Sequence, residues 1–270
     1  MKHTLRIITL YLCLLVPCMG NASKDIFKEF AGIIVDTTSG KILFAHNADQ
    51  SKKPASLVKV MVLYVIFDYL HNGIIHWDDP MPVSHYATTQ PASKLNLKIE
   101  DYITVAQAIH ALIIKSANDV AVVLAEYISG TEDQFAQLMN EYANVLGMKN
   151  TWFMNASGLD HEKQYSTAFD LALLGYKIRR DFPNYYSRFQ DLHFQYHLHD
   201  YASFNTVLKN YNGADGLKTG FTSLAGFNIA TSITYHGHQY IAVTLGLPSK
   251  NIQYDVVSSL LDYYIKGIQT

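Results

Sequence analysis

Cysteine is missing from most of this 270-residue sequence; Cys13 and Cys18 both fall within the first twenty positions. The remainder has no disulfide framework and must be stabilised by packing alone. A charge excess of either sign is missing too. Twenty-one basic and 23 acidic side chains give −2 at neutral pH, which leaves no electrostatic footprint for nucleic acid. Beyond the amino end there is no long apolar run. The stretch from Val60 to Phe67 is bounded by Lys59 and Asp68, far short of the roughly 20 residues needed to cross a bilayer. No internal repeat is visible, and Asp and Glu nowhere gather into a metal-like cluster, so neither metal nor cofactor is expected. A hydrophobic content of 49% with 13% aromatics excludes a disordered chain and supplies a substantial core.

The amino end reads as an export address. Lys2 and Arg6 precede an apolar stretch from Ile7 to Val16, Pro17 breaks it, and Gly20-Asn21-Ala22 places small residues where a signal peptidase cuts. Cleavage near Ala22 takes two basic residues, no acid and both cysteines, leaving 19 basic against 23 acidic side chains. Pro17 in front of Cys18 suits a lipoprotein poorly. The expected product is exported, periplasmic or extracellular. The final helix lacks a basic face, so it is expected to cover a sheet, and no stable membrane anchor is expected.

Residues 23–270 read as one domain in three zones. Ala31–Asp36 and Lys41–Ala45 are β-prone runs around a turn ending in Gly40, and thus a hairpin. Ser56–His71 is a helix closed by Asn72-Gly73, apolar on almost every face and so buried on all sides. Between about 81 and 199 helical periods dominate. Three of these are Ala106–Ile113, Val120–Tyr127 and Phe135–Leu146, the last ending at Gly147. Thr167–Arg180 follows with Thr167 as amino-terminal cap. Strands return at Gly216–Phe221, Gly226–Ile233 and Gln239–Leu247, before a helix from about Asn251 to Ile268. His193, His197 and His199, alternating with Phe194, Tyr196 and Leu198, look like the polar face of one strand. The pattern predicts an α+β fold: an antiparallel sheet built from both chain ends (about 23–80 and 200–270), with an inserted helical lobe (about 81–199).

Three short motifs carry chemistry. In Ser56-Leu57-Val58-Lys59 a spacing of three puts hydroxyl and amine on one helical face. Ser56 stands at the helix start, where free N–H groups favour an oxyanion. Lys59 lies in apolar surroundings that depress a lysine pKa and make it a base. Ser116-Ala117-Asn118 falls between two helical patterns; a break there lets both polar side chains face one cleft. In Lys218-Thr219-Gly220 the glycine admits another backbone, so a substrate can lie alongside as an added strand. Taken singly, each is better explained by a helix cap or a surface strand.

Their order, with 60 residues between the serines and 102 from Ser116 to Lys218, resembles the motif set of penicillin-binding proteins and serine β-lactamases. The chain most resembles the low-molecular-mass penicillin-binding proteins that are serine D-alanyl-D-alanine carboxypeptidases. The likeness runs through Pro54–Lys59, Ile113–Glu126, Asn155–Leu174 and Gly213–Thr231. It implies a β-lactamase/transpeptidase-like fold with a sheet of about five strands flanked by helices. It also implies acyl transfer from peptidoglycan stem peptides ending in D-Ala-D-Ala, and acylation by β-lactam antibiotics. On this reading Ser56 is the nucleophile, Lys59 its base and Ser116 the proton relay to the leaving D-alanine. Asn118 binds a substrate amide and helps hold Lys59; Lys218, Thr219 and Gly220 bind the terminal residue and its carboxylate. The backbone N–H groups of Ser56 and Phe221 form the oxyanion hole. Two departures stand out: Phe221 replaces a histidine or tyrosine, and 247–257 contains Lys250 but no arginine. A β-lactamase is disfavoured, since no Glu-x-x-Leu-Asn segment occurs and Ala117 stands where aspartate is usual. A D-alanyl crosslink endopeptidase shares the same chemistry, and a non-catalytic penicillin-binding sensor shares the fold. Relatives with an additional carboxy-terminal β-domain are longer, so a soluble exported enzyme is expected.

Overall fold

The computed structural model describes residues 29–267. The export segment 1–22, its cysteines and Ile268 at the end of the expected last helix lie outside the described residues. β1 (Ala31–Asp36) and β2 (Lys41–His46) form the expected hairpin. The Asp36 carboxylate accepts from the N–H groups of Thr38 and Ser39 at 2.9 and 3.2 Å, a side-chain-stabilised turn. β7 (Ala214–Thr222), β8 (Gly226–Tyr235) and β9 (His238–Leu247) complete a five-stranded sheet in the order β2-β1-β9-β8-β7. All four of its neighbouring pairs are antiparallel. The first strands of the chain thus meet the last, as the β-prone runs at its two ends require.

Strand alternation gives the sheet two buried faces. Ile33, Leu217, Ala230, Ile241, Val243 and Leu245 join the larger core. Ile34, Phe44, Ile229, Ile233, Ala242 and Leu247 form a second core. The helix α1 (Val58–His71) belongs to the larger core, entered through one 3-10 turn at Ala55–Leu57. Every residue from Val58 to Phe67 is buried, because packed elements surround α1 on all sides.

In the helical lobe β3 (Pro80–Pro82) pairs with β4 (Tyr102–Thr104), with α2 (His85–Thr88) between them. Thr104 and Gln107 form a capping box that opens α3 (Val105–His110). A widened turn, Ala111–Lys115, then leads to α4 (Asn118–Ser129). α5 (Glu132–Leu146) starts at the Thr131 cap and ends on Gly147 at φ +88°. α6 (Ala168–Asp181) is capped by Thr167, whose hydroxyl accepts from Asp170 N at 3.0 Å. α7 (Pro183–Tyr186), the hairpin β5 (His193–Tyr196)–β6 (His199–Ala202) and α8 (Thr206–Asn210) lead back to β7. α9 (Lys250–Leu261) closes the second core with Val257 and Leu261.

Two expectations need correction. α6 lies inside the stretch assigned to the helical lobe, yet it packs on the sheet. A Cβ on its Gly175 would come within 3.0 Å of Leu217 and 3.3 Å of Ile241. Helical period reports which side of a helix is apolar, not which layer covers it. The three histidines do not share one strand either. Tyr196 pairs with His199 across a two-residue turn, where His197 takes φ +50° and Leu198 is 96% exposed. Neither turn residue is Gly, Pro, Asn or Asp, so the alternation continued unbroken through a reversal of direction.

Candidate active site

Ser56 enters α1 from a tight approach. Ala55 takes φ +50°, a conformation that costs a residue with a Cβ about 1–2 kcal/mol. Asn228 Nδ2 holds the Lys53 carbonyl at 2.8 Å, and Lys53 Nζ donates to the carbonyls of His161, Glu162 and Gln164 at 2.7, 2.7 and 2.9 Å. These bonds tie the segment before Ser56 to the sheet on one side and to the 157–164 loop on the other.

One turn on, Lys59 is completely buried. Its Nζ lies 3.1 Å from Ser56 Oγ and 2.8 Å from Asn118 Oδ1, and it also donates to the Ser157 carbonyl. Loss of solvent holds its pKa well below the usual 10.5, helped by the Lys218 ammonium and opposed by Glu132 and Asp119. A neutral amine has two N–H donors and one lone pair. Two carbonyl oxygens take the donors, which leaves the lone pair to accept the Ser56 hydroxyl proton.

The break expected at Ser116 is present and sharp. Ser116 is left-handed (φ +59°, ψ +38°), Ala117 is extended and Asn118 starts α4. Ser116 and Asn118 therefore both reach the cleft that Ser56 lines. The side-chain amide of Asn118 donates to Pro91 O at 3.0 Å while its carbonyl takes Lys59. Its backbone N–H bonds to Ser93 O at 2.7 Å, and Ser93 Oγ returns a bond to Lys115 O at 2.8 Å. Asp119, fully buried, accepts from Leu95 N, Leu97 N and Val120 N.

β7 forms the opposite wall. Thr219, Gly220 and Phe221 line the cleft, whereas Lys218 is buried behind it and donates to the Thr219 carbonyl at 2.8 Å. Gly220 is required by proximity: a Cβ there would stand 2.9 Å from Ser56 N. Phe221 is half exposed and packs on Phe227 with ring centroids 4.4 Å apart.

The structure brings Ser56, Lys59, Ser116, Asn118, Thr219, Gly220 and Phe221 to one cleft, with Lys218 just behind. Leu159, Phe204, Phe227, Gln253 and Lys250 also line it, so the basic residue of 247–257 does reach the site. Sequence reasoning assigned no role to Ser157, Gly158, Asp119 or Glu132. Gly158 lay within a segment that carried the resemblance; nothing in one sequence separates buried carboxylates such as Asp119 and Glu132 from surface ones.

Burial without solvent pushes the Lys218 ammonium down to about 7 from 10.5. Between those values the unfolded chain binds the proton and the folded one does not. Stability therefore rises with pH across that window by about 1.4 kcal/mol per pH unit, and the full cost applies below it. Lys218→Met is expected to raise the melting temperature most at pH 6 and to lose that advantage near pH 10.5. Thermal melts of both proteins across this range check it, and an advantage independent of pH would contradict it.

A serine and a buried lysine on one helical turn, facing a Lys-Thr-Gly strand of a five-stranded antiparallel sheet, define the penicillin-binding transpeptidase fold class. Residues 21–249 match the D-alanyl-D-alanine carboxypeptidase family, peptidase S11. D-alanyl-D-alanine carboxypeptidase DacC of Escherichia coli is 36% identical over 247 residues, covering 89% of this chain and 62% of that protein. The crystal structure of penicillin binding protein 5 from Haemophilus influenzae superposes with a TM-score of 0.83 at 35% identity. The match covers 86% of this chain and 69% of that one. Penicillin-binding protein D2 of Listeria monocytogenes, solved in its cefotaxime-bound form, gives 0.77 at 27% identity, over 86% and 96%. The chain belongs to the D-alanyl-D-alanine carboxypeptidase family S11. It spans 62%, 56% and 55% of the first three curated relatives it matches.

Proposed function

We propose that this chain is a serine D-Ala-D-Ala carboxypeptidase that trims peptidoglycan stem pentapeptides through an acyl-enzyme and is acylated by β-lactams. The observation that carries this reading is the triply held Lys59 Nζ, 3.1 Å from Ser56 Oγ. As Ser56 Oγ bonds to the carbonyl carbon of the penultimate D-alanine, its proton passes to neutral Lys59. The oxyanion forms between the N–H groups of Ser56 and Phe221, an arrangement commonly worth about 3 kcal/mol per donor. The C–N bond then breaks, Ser116 relays a proton to the departing D-alanine nitrogen, and water hydrolyses the ester. Thr219 and the Lys250 ammonium favour the terminal carboxylate, and Lys218 behind Thr219 adds its positive charge as it takes up a proton toward pH 7, while Asn118 orients the substrate amide. The assignment of 1–22 as an export signal and 23–270 as the peptidase domain is part of the same proposal, and places the enzyme at the cell wall.

The test is mass spectrometry of purified protein incubated with a stem pentapeptide and, separately, with crosslinked stem dimers. Loss of one alanine mass from the pentapeptide is the expected result. Monomers released from dimers with no pentapeptide trimming would replace the reading by a crosslink endopeptidase. Penicillin labelling without turnover of either would replace it by a binding module.

A further inference from the structure

Each residue whose carbonyl holds Lys59 Nζ has a chain neighbour that is, or bonds to, a buried carboxylate. Asn118 adjoins Asp119, which takes three backbone N–H groups. Ser157 follows Ala156, whose N–H donates to Glu132 Oε1 at 2.9 Å. The two carboxylates are not equivalent. The charge of Asp119 is spread over three amide dipoles, and it anchors the 95–97 strand of loop. Glu132 accepts one amide and, through Oε2, the Tyr86 hydroxyl at 2.8 Å. It is 8% exposed and sits in the first turn of α5, where the helix amino terminus favours a negative charge.

We propose that Glu132, which touches no reacting atom, is a positioning residue: its carboxylate sets the Ser157 carbonyl against Lys59, and its charge sets the pH at which Lys59 can take the Ser56 proton. The inference rests on the peptidase reading for its kinetic consequence but not for its effect on Lys59. The charged groups around Lys59 come from three elements: Lys218 on β7, Asp119 on α4 and Glu132 on α5. Of the two anions, Glu132 has the fewer compensating donors. A nearby anion favours the ammonium, so Glu132 keeps Lys59 more basic than burial alone would leave it.

Glu132→Gln removes the charge and keeps the shape, since the amide oxygen still accepts from Ala156 N and the amide nitrogen can donate to Tyr86 Oη. Glu132→Asp keeps the charge and shortens the reach. Two measurements are needed on the full protein: the Lys59 titration by carbon-13 NMR of labelled lysine, and the pH profile of acylation by a chromogenic cephalosporin. For Glu132→Gln the Lys59 pKa and the acid limb of acylation are both expected to move down by about 0.5–1 pH unit. Acylation below that limb should then rise about 3–10-fold. Glu132→Asp is expected to keep the limb and lower the rate throughout. A Glu132→Gln protein whose Lys59 titrates as in the parent overturns the inference. Should the parent protein resist acylation at every pH, the peptidase reading fails, and the NMR titration still decides the role of Glu132.

Discussion

Ser56→Ala is expected to abolish both D-alanine release and penicillin labelling, by at least about 10⁴-fold, with little change in stability. The size of the effect follows from the covalent step. Without Oγ no ester forms, and the remaining groups contribute only binding and oxyanion stabilisation; a comparable deletion in another serine peptidase costs about 10⁶-fold in kcat. Stability should survive because Ser56 is half-buried and its hydroxyl bonds to Lys59 Nζ rather than to the backbone of its turn. Lys59 also retains Asn118 and the Ser157 carbonyl. The change in unfolding free energy is therefore expected to lie within about 0.5–1 kcal/mol. Fluorescent-penicillin labelling beside a thermal melt measures both, and labelling that persists on a folded Ser56→Ala protein would place the nucleophile elsewhere.

Gly158→Ala is expected to do comparable damage without touching a reacting group. A Cβ at that position would stand 2.1 Å from the Ala55 carbonyl oxygen and 2.5 Å from its carbon, and Gly158 has φ +80°. Neither neighbour is a flexible side-chain end; both belong to the peptide that presents Ser56 N–H. The backbone must move, and Ser56 N–H, the proposed oxyanion donor, moves with it. We expect a loss of about 3 kcal/mol or more in stability and at least about 100-fold in acylation. Gly40→Ala is the control: its φ is +74°, with nothing within 4 Å of the added atom, so only the backbone term of about 1–2 kcal/mol applies. Gly158→Ala and Gly40→Ala proteins of equal stability and equal labelling rate would refute the contact.

Much of the fold was legible because its signals are local. The cap at Thr167, the stop at Gly147 and the turn ending at Gly40 all lie within a few residues of the elements they delimit. Alternation in the last three strands needs only neighbouring positions. Where the signal was weak the reading slipped: His197 and Leu198 reverse the chain without a turn-forming residue, and α6 carries no mark of the sheet it covers. The site divides in the same way. Ser56 and Lys59 meet because a helix brings positions three apart together, and Ser116 with Asn118 was marked by the gap between two helical periods. Phe221 and Lys250 looked like departures in the sequence; in the structure both line the cleft.

The sequence alone determined which groups are available: a hydroxyl and an amine one turn apart on an apolar helix, a polar break, a strand bearing lysine, threonine and glycine. Tertiary structure decided their state. Lys59 is short of protons because packing removes water from every side of α1, and it is aimed at Ser56 because a carbonyl 98 residues away takes one of its hydrogens. Gly158 and Gly220 matter because two backbones press against the Ser56 peptide. Such contacts leave no side-chain pattern behind, since desolvation and backbone proximity belong to the assembled chain and to no single stretch of it.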